Sequence, residues 1–137
     1  MALVTSASAR RAAAPTEHFR VLNTSVSGAA TVVAWGPLHA RGKDVVVNNR
    51  RDRFVFPKGA LIVRHRATSH RDTFDKVTCY GQHTESGIYR VLSGTRAYAG
   101  ASGLGTYTVV AQFVGCSQTK PPRVFMFEIN ASGPLRL

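Results

Sequence analysis

No stretch of this chain keeps an apolar repeat of three to four residues for long enough to build a core helix. Instead, apolar and β-branched residues recur in short runs, each bounded by Gly, Pro, Asn or Asp. A chain punctuated in this way has to satisfy its backbone by strand pairing, so the expected class is all-β. The runs fall at residues 29–40, 43–48, 53–56, 61–67, 74–84, 88–92, 98–114 (one pair or one interrupted strand) and 123–129, about eight strands in all. Small antiparallel sheets of that number commonly close on themselves. Closure removes exposed edges and leaves an interior that is filled by side chains or holds one small ligand.

The 137 residues suit a single domain and leave no room for a second. Residues 1–17 are rich in Ala, Ser, Thr and Arg, have no periodic apolar face and are interrupted by Pro15. They read as a flexible basic arm, with the barrel domain expected over 18–137. No apolar run approaches the roughly 20 residues of a bilayer span, and residues 1–15 lack the apolar segment of a secretory signal. The expected location is therefore cytoplasmic, or secreted if the chain is a trimmed mature form. Cys79 and Cys116 allow either one disulfide or two buried thiols, and the missing leader tips the expectation toward thiols. Their separation, with no C-x-x-C, argues against a zinc ribbon or a thioredoxin-type redox pair.

Alternation within 61–67 puts Leu61, Val63 and His65 on one face and Ile62, Arg64 and Arg66 on the other. Residues 74–84 read as a strand and Glu85-Ser86-Gly87 as a hairpin turn, which leaves Glu85 in solvent. The most specific text is Ser93-Gly94-Thr95-Arg96-Ala97-Tyr98-Ala99-Gly100-Ala101-Ser102-Gly103-Leu104-Gly105-Thr106-Tyr107. It reads as a glycine-kinked hairpin in which Gly94, Gly100, Gly103 and Gly105 permit positive φ or close approach, while Tyr98 and Tyr107 pack across neighbouring strands. A phosphate loop is not expected, because no helix follows whose N-terminus would receive the phosphate.

In Gly94-Thr95, Tyr98-Ala99-Gly100-Ala101 and Gly103-Leu104-Gly105-Thr106-Tyr107 the sequence resembles the allene oxide cyclase-like barrel superfamily, which includes the plant dirigent proteins. Arg96 stands where that pattern usually has its second glycine, and weaker similarity runs through residues 52–57, 74–75 and 87–89. The resemblance implies an eight-stranded antiparallel barrel with an apolar cavity opening at one end. Such barrels host cofactor-free cyclisation, steering of a coupling reaction, or ligand binding without chemistry, and some bacterial relatives are natural-product cyclases. The matching residues build the hairpin and carry no catalytic role across.

The expected function is thus a cofactor-independent cyclase or isomerase. It would act on a small apolar or weakly anionic molecule, polyketide- or fatty-acid-like, by confining it in a reactive shape. Trp35, Tyr80, Tyr107 and Phe127 are the proposed wall residues. Glu128, a carboxylate interrupting an apolar strand, is the candidate acid or base. No cofactor and no metal are expected: His39, His65 and His83 lack a metal-ligand spacing. Cys79 as a nucleophile is not favoured, because His83 stands four residues along the same strand.

Two readings from other classes stand beside the cyclase. The first is a non-catalytic carrier of the same kind of ligand. The second draws on 18 Lys and Arg against seven Asp and Glu, a net charge of +11, gathered at Arg10-Arg11, Arg50-Arg51-Arg53, Arg64-His65-Arg66 and His70-Arg71. Such a surface would suit phosphate backbones, but aromatic interleaving is poor, so nucleic acid ranks third. No membrane partner is expected, and a homo-oligomer is compatible with the sequence.

Overall fold

The computed structural model describes residues 12–137. Arg10-Arg11 and most of the expected arm therefore lie outside the described residues. Eight antiparallel strands close into one barrel in sequence order: β1 (Thr16–Asn23), β2 (Ala30–Trp35), β3 (Ala40–Asn48), β4 (Arg51–Phe56), β5 (Gly59–Phe74), β6 (Tyr80–Gly94), β7 (Ser102–Val114) and β8 (Val124–Arg136). Closure is made by β1 against β8, with Phe19 opposite Ala131 and Val21 opposite Ile129. The expected class, count of eight and antiparallel closure are all present, but not strand for strand: β1 is not among the expected runs, and residues 80–84 and 88–92 belong to one strand, β6.

Several boundaries differ from expectation, each for a local reason. The barrel begins at Thr16 rather than His18, because Glu17 is buried; just upstream, the Pro15 carbonyl accepts a bond from the Leu135 N–H. The run expected over 29–40 is broken after Trp35. There Glu17 Oε2 accepts the Leu38 N–H at 2.7 Å and pins a turn that drives Leu38 into the core. The strand expected over 74–84 is a turn at 75–79. Asp75 Oδ1 accepts the N–H groups of Val77 and Thr78 at 2.7 and 3.0 Å, and Cys79 completes the reversal at φ 59°. With the turn displaced there, Glu85-Ser86-Gly87 is not a hairpin but the middle of β6. Residues 98–101 are no strand either: a single 3-10 turn, Arg96–Tyr98, joins β6 to β7.

The glycine-rich stretch uses its glycines for space more than for φ. Of its four glycines only Gly100 has positive φ; at Gly105 a side chain would collide with the Tyr89 ring and the Ser132 backbone. Cys79 and Cys116 are disulfide-bonded, contrary to the thiol expectation, with Cα atoms 5.1 Å apart. The displaced turn is what makes this possible, since it brings Cys79 to the start of the β7–β8 connection, where the Gly115 N–H donates to the Cys79 carbonyl.

One end of the barrel is sealed. Leu38, Phe56, Leu61, Val91, Tyr98 and Leu135 are all buried there in one cluster, and the Tyr98 ring meets Phe56 edge-on at 6.2 Å. The 3-10 turn is held over this end by the Ala60 N–H donating to Thr95 Oγ1 at 3.0 Å. At the other end β5 to β8 run on beyond β4, with β6 still paired to β7 where Tyr80 faces Val114 and β7 to β8 where Val114 faces Val124, and the β5–β6 pair carries a register shift between Ala67 and Ser69.

Candidate functional site

Strand alternation sorts each inward residue by parity, and the inward set is apolar near the sealed end and polar toward the open one. Phe19 and Val21 from β1, Phe54 from β4, Val63 from β5, Tyr89 from β6, Val109 from β7 and Phe127, Ile129 and Ala131 from β8 surround a cavity of about 630 Å³. The β1–β2 loop (Ser25, Val26, Gly28) and the β3–β4 hairpin (Asn48, Asn49) frame it. That volume falls within the range of small-molecule sites.

Three acidic side chains and two histidines face this cavity: Asp44, Asp52, Glu85, His65 and His83. Asp52 alternates inward with Phe54 and Phe56 on β4, while Arg51 and Arg53 point out. Its Oδ2 lies 3.3 Å from His65 Nε2 on the neighbouring strand. The Asp52 hydrogen bond holds the His65 imidazolium more firmly than in water and raises its pKa, despite some opposing burial. Asp44, on β3, is 6% exposed, and its Oδ1 has no hydrogen-bond partner. Burial, and then the negative charge of Asp52, push its pKa up to about 7, against an opposing pull from His65.

The second polar strand of the wall is a chain of contacts. The Tyr107 hydroxyl donates to Glu85 Oε2 at 2.8 Å, Glu85 Oε1 lies 3.5 Å from His83 Nε2, and His83 Nδ1 meets Asp72 Oδ1 at 2.6 Å. Asp72 is well exposed, so the chain runs from the cavity to solvent. Burial and the Glu85 bond keep the Tyr107 phenol protonated, and the Asp72 bond raises the His83 pKa. Tyr107 crosses the wall over Gly87, whose missing side chain leaves room for the ring; its edge-to-face contact with His65, 6.0 Å between centroids, joins the two polar groups.

The sequence-proposed site residues divide. Tyr107 and Phe127 line the cavity. Trp35 does not: Ala34 takes the inward position, and Trp35 stacks on His18 at 5.3 Å on the outer surface, with the Arg20 guanidinium over its ring at 5.9 Å. Tyr80 also faces out, where its hydroxyl accepts a bond from Gln112. Glu128 is on the outside, 3.4 Å from Arg20 and accepting a bond from Asn130. Neighbours on one strand cannot share a face, so Phe127 inside requires Glu128 outside. Glu85, expected in solvent, lines the cavity instead.

The groups missed by sequence reasoning are Asp44 and Asp52. For Asp52 a signal was present, since Asp52, Phe54 and Phe56 alternate with Arg51, Arg53 and Val55. For Asp44 the run Val45-Val46-Val47 hid the phase of the strand. Among the described residues no group of His, Cys, Asp and Glu is arranged to hold a metal ion, and no helix is long and apolar enough to cross a membrane. Comparison with known protein families, curated proteins and solved structures finds no match for the chain.

Proposed function

We propose that this barrel binds one small, largely apolar molecule and promotes its isomerisation or ring closure by proton transfer, with no cofactor. The observation that carries the reading is the Asp52–His65 pair beside an unpartnered Asp44 in the wall of an otherwise apolar cavity. Enclosure by aromatic and aliphatic walls would hold a flexible ligand near its reactive shape. His65 in its neutral form, oriented by Asp52, takes a proton from a carbon next to a carbonyl. The imidazolium then returns the proton at a second carbon. Atoms and charge balance, with nothing consumed. The family resemblance in the glycine-rich stretch supports the same class of reaction, and the disulfide supports an oxidising compartment.

The test is binding and turnover together. Native mass spectrometry with organic extraction reports any retained ligand. A β,γ-unsaturated cyclic ketone, followed by ultraviolet absorbance as it conjugates, reports proton transfer. His65→Gln should lower the rate on the order of a hundredfold or more, while Trp35→Ala and Glu128→Gln on the outer face leave it unchanged. Binding without turnover in the unaltered protein would replace the catalytic reading with that of a carrier. Loss of turnover in Glu128→Gln but not in His65→Gln would overturn the site.

A further inference from the structure

The outside and inside of this barrel carry opposite charge. Arg41 and Lys43 on β3, Arg51 and Arg53 on β4, Arg64 and Arg66 on β5 and Arg90 on β6 are all exposed on the outer wall. Among the described residues no Lys or Arg lines the cavity, whereas Asp44, Asp52 and Glu85 do. Two of those carboxylates are already engaged: Asp52 by His65, and Glu85 by the Tyr107 hydroxyl and His83. Asp44 is not. It is buried against the cavity; Oδ1 is fully enclosed and meets no donor from the protein, so a ligand would reach the carboxylate through its other oxygen. A buried carboxylate oxygen without a donor is costly unless something else supplies one.

We propose that the molecule held in the cavity is a lipophilic amine, whose protonated nitrogen docks on Asp44 while its apolar body lies along Phe19, Phe54, Tyr89 and Phe127. This rests on the reading of the cavity as a small-molecule site and assigns the ligand's polar end a positive charge, against the weakly anionic end expected from sequence. Phe54 is the register partner of Asp44, and its ring packs against Phe19 at 5.3 Å, with Tyr89 edge-on to Phe19 at 6.1 Å. Aromatic faces beside a carboxylate suit an alkylammonium by cation–π attraction as well as ion pairing. A ligand carboxylate at the same place would add another anion beside Asp44 and Asp52, with only His65 to offset it. The basic outer wall meanwhile disfavours loose adsorption of amines elsewhere on the molecule.

The groups facing Asp44 also set the pH dependence. Asp52 opposes its ionisation and His65 favours it, while Glu85 in turn favours the charged form of His65. Acidification neutralises Asp44 and adds positive charge at His65 and His83, and each change weakens the hold on a cation.

The experiment is calorimetric titration of the full chain with decylamine, decanol and decanoate at high salt, at about pH 8 and about pH 5.5, in the unaltered protein, Asp44→Asn and Glu128→Gln. The expected result is decylamine binding about tenfold tighter than decanol at the higher pH, with decanoate weakest. That preference should shrink at the lower pH, vanish in Asp44→Asn and persist in Glu128→Gln. Because the pH arm uses the unaltered protein, it stands even if Asp44→Asn folds poorly. Decanol binding as tightly as decylamine, or a preference that survives in Asp44→Asn, overturns the amine while leaving the small-molecule site. Failure of all three to bind overturns both.

Discussion

At the scale of single residues, the two orphaned carboxyl groups show how much one side chain costs when buried. Glu17 Oε1 and Asp44 Oδ1 both lack a partner, and burial raises the pKa of each. For Asp44 the folded value of about 7 stands above the ordinary 3.8, so between those limits the native state holds a proton that the unfolded chain has released. Folding stability therefore falls as pH rises from about 4 to about 7 and is flat in Asp44 beyond that. Asp44→Asn, which cannot ionise, should remove this slope. Thermal melts at about pH 4 and about pH 8 should find the variant about equal to the parent at the lower pH and more stable at the higher, by up to about 4 kcal/mol. His65 adds a slope of the same sign, since its pKa is raised in the fold and its stabilisation is lost as pH rises through that value.

At the scale of elements, the strands are held in register by contacts that no single strand contains. Gly87 lies under the Tyr107 ring, and an added methyl there would sit well inside contact distance of that ring and of the Arg66 carbonyl. Gly87→Ala should destabilise the fold by about 1–3 kcal/mol and break the Tyr107–Glu85 bond, which the tyrosine absorption during an alkaline titration would report as a lowered phenol pKa. The hairpin tips are tied by Cys79–Cys116 across 37 residues of chain. Reduction should cost about 4 kcal/mol in the loop-entropy picture, and denaturant midpoints with and without a thiol reductant check it. An unchanged midpoint would mean that the hydrogen bonds of the 75–79 turn suffice to close that end.

At the scale of the whole molecule, every Lys and Arg among the described residues is exposed. Arg51 faces Arg64 across β4 and β5, and Arg64 faces Arg90 across β5 and β6, so like charges meet directly on adjacent strands. Added sodium chloride should raise the melting temperature, a gain of about 1 kcal/mol between low and high salt. Binding of a neutral ligand such as decanol inside the barrel should change little over the same range, and parallel melts and titrations separate the two effects. A melting temperature indifferent to salt would show that these arginines do not repel one another appreciably.

The division between what sequence determined and what the fold decided runs along interaction range. Alternation and turn chemistry act within a few residues, so the all-β class and the shared face of Leu61, Val63 and His65 were legible, whereas the count of eight agrees only because β1, absent from the expected runs, offsets the joining of 80–84 and 88–92 into β6. Tyr107 and Phe127 were legible as aromatic strand residues, though nothing local distinguished them from Trp35 and Tyr80, which alternation sends outward once the strand ends are known. Those ends depended on longer reach: Glu17 capping a turn 21 residues away, and Asp75 folding a turn inside an apparent strand. The site itself gathers Asp44 from β3, Asp52 from β4, His65 from β5, Glu85 from β6 and Tyr107 from β7. Sequence by itself determined that the chain would make a sheet with two chemically distinct faces. Only closure, which sets strand phase and curvature together, decided which carboxylates would be taken out of water and placed beside a histidine.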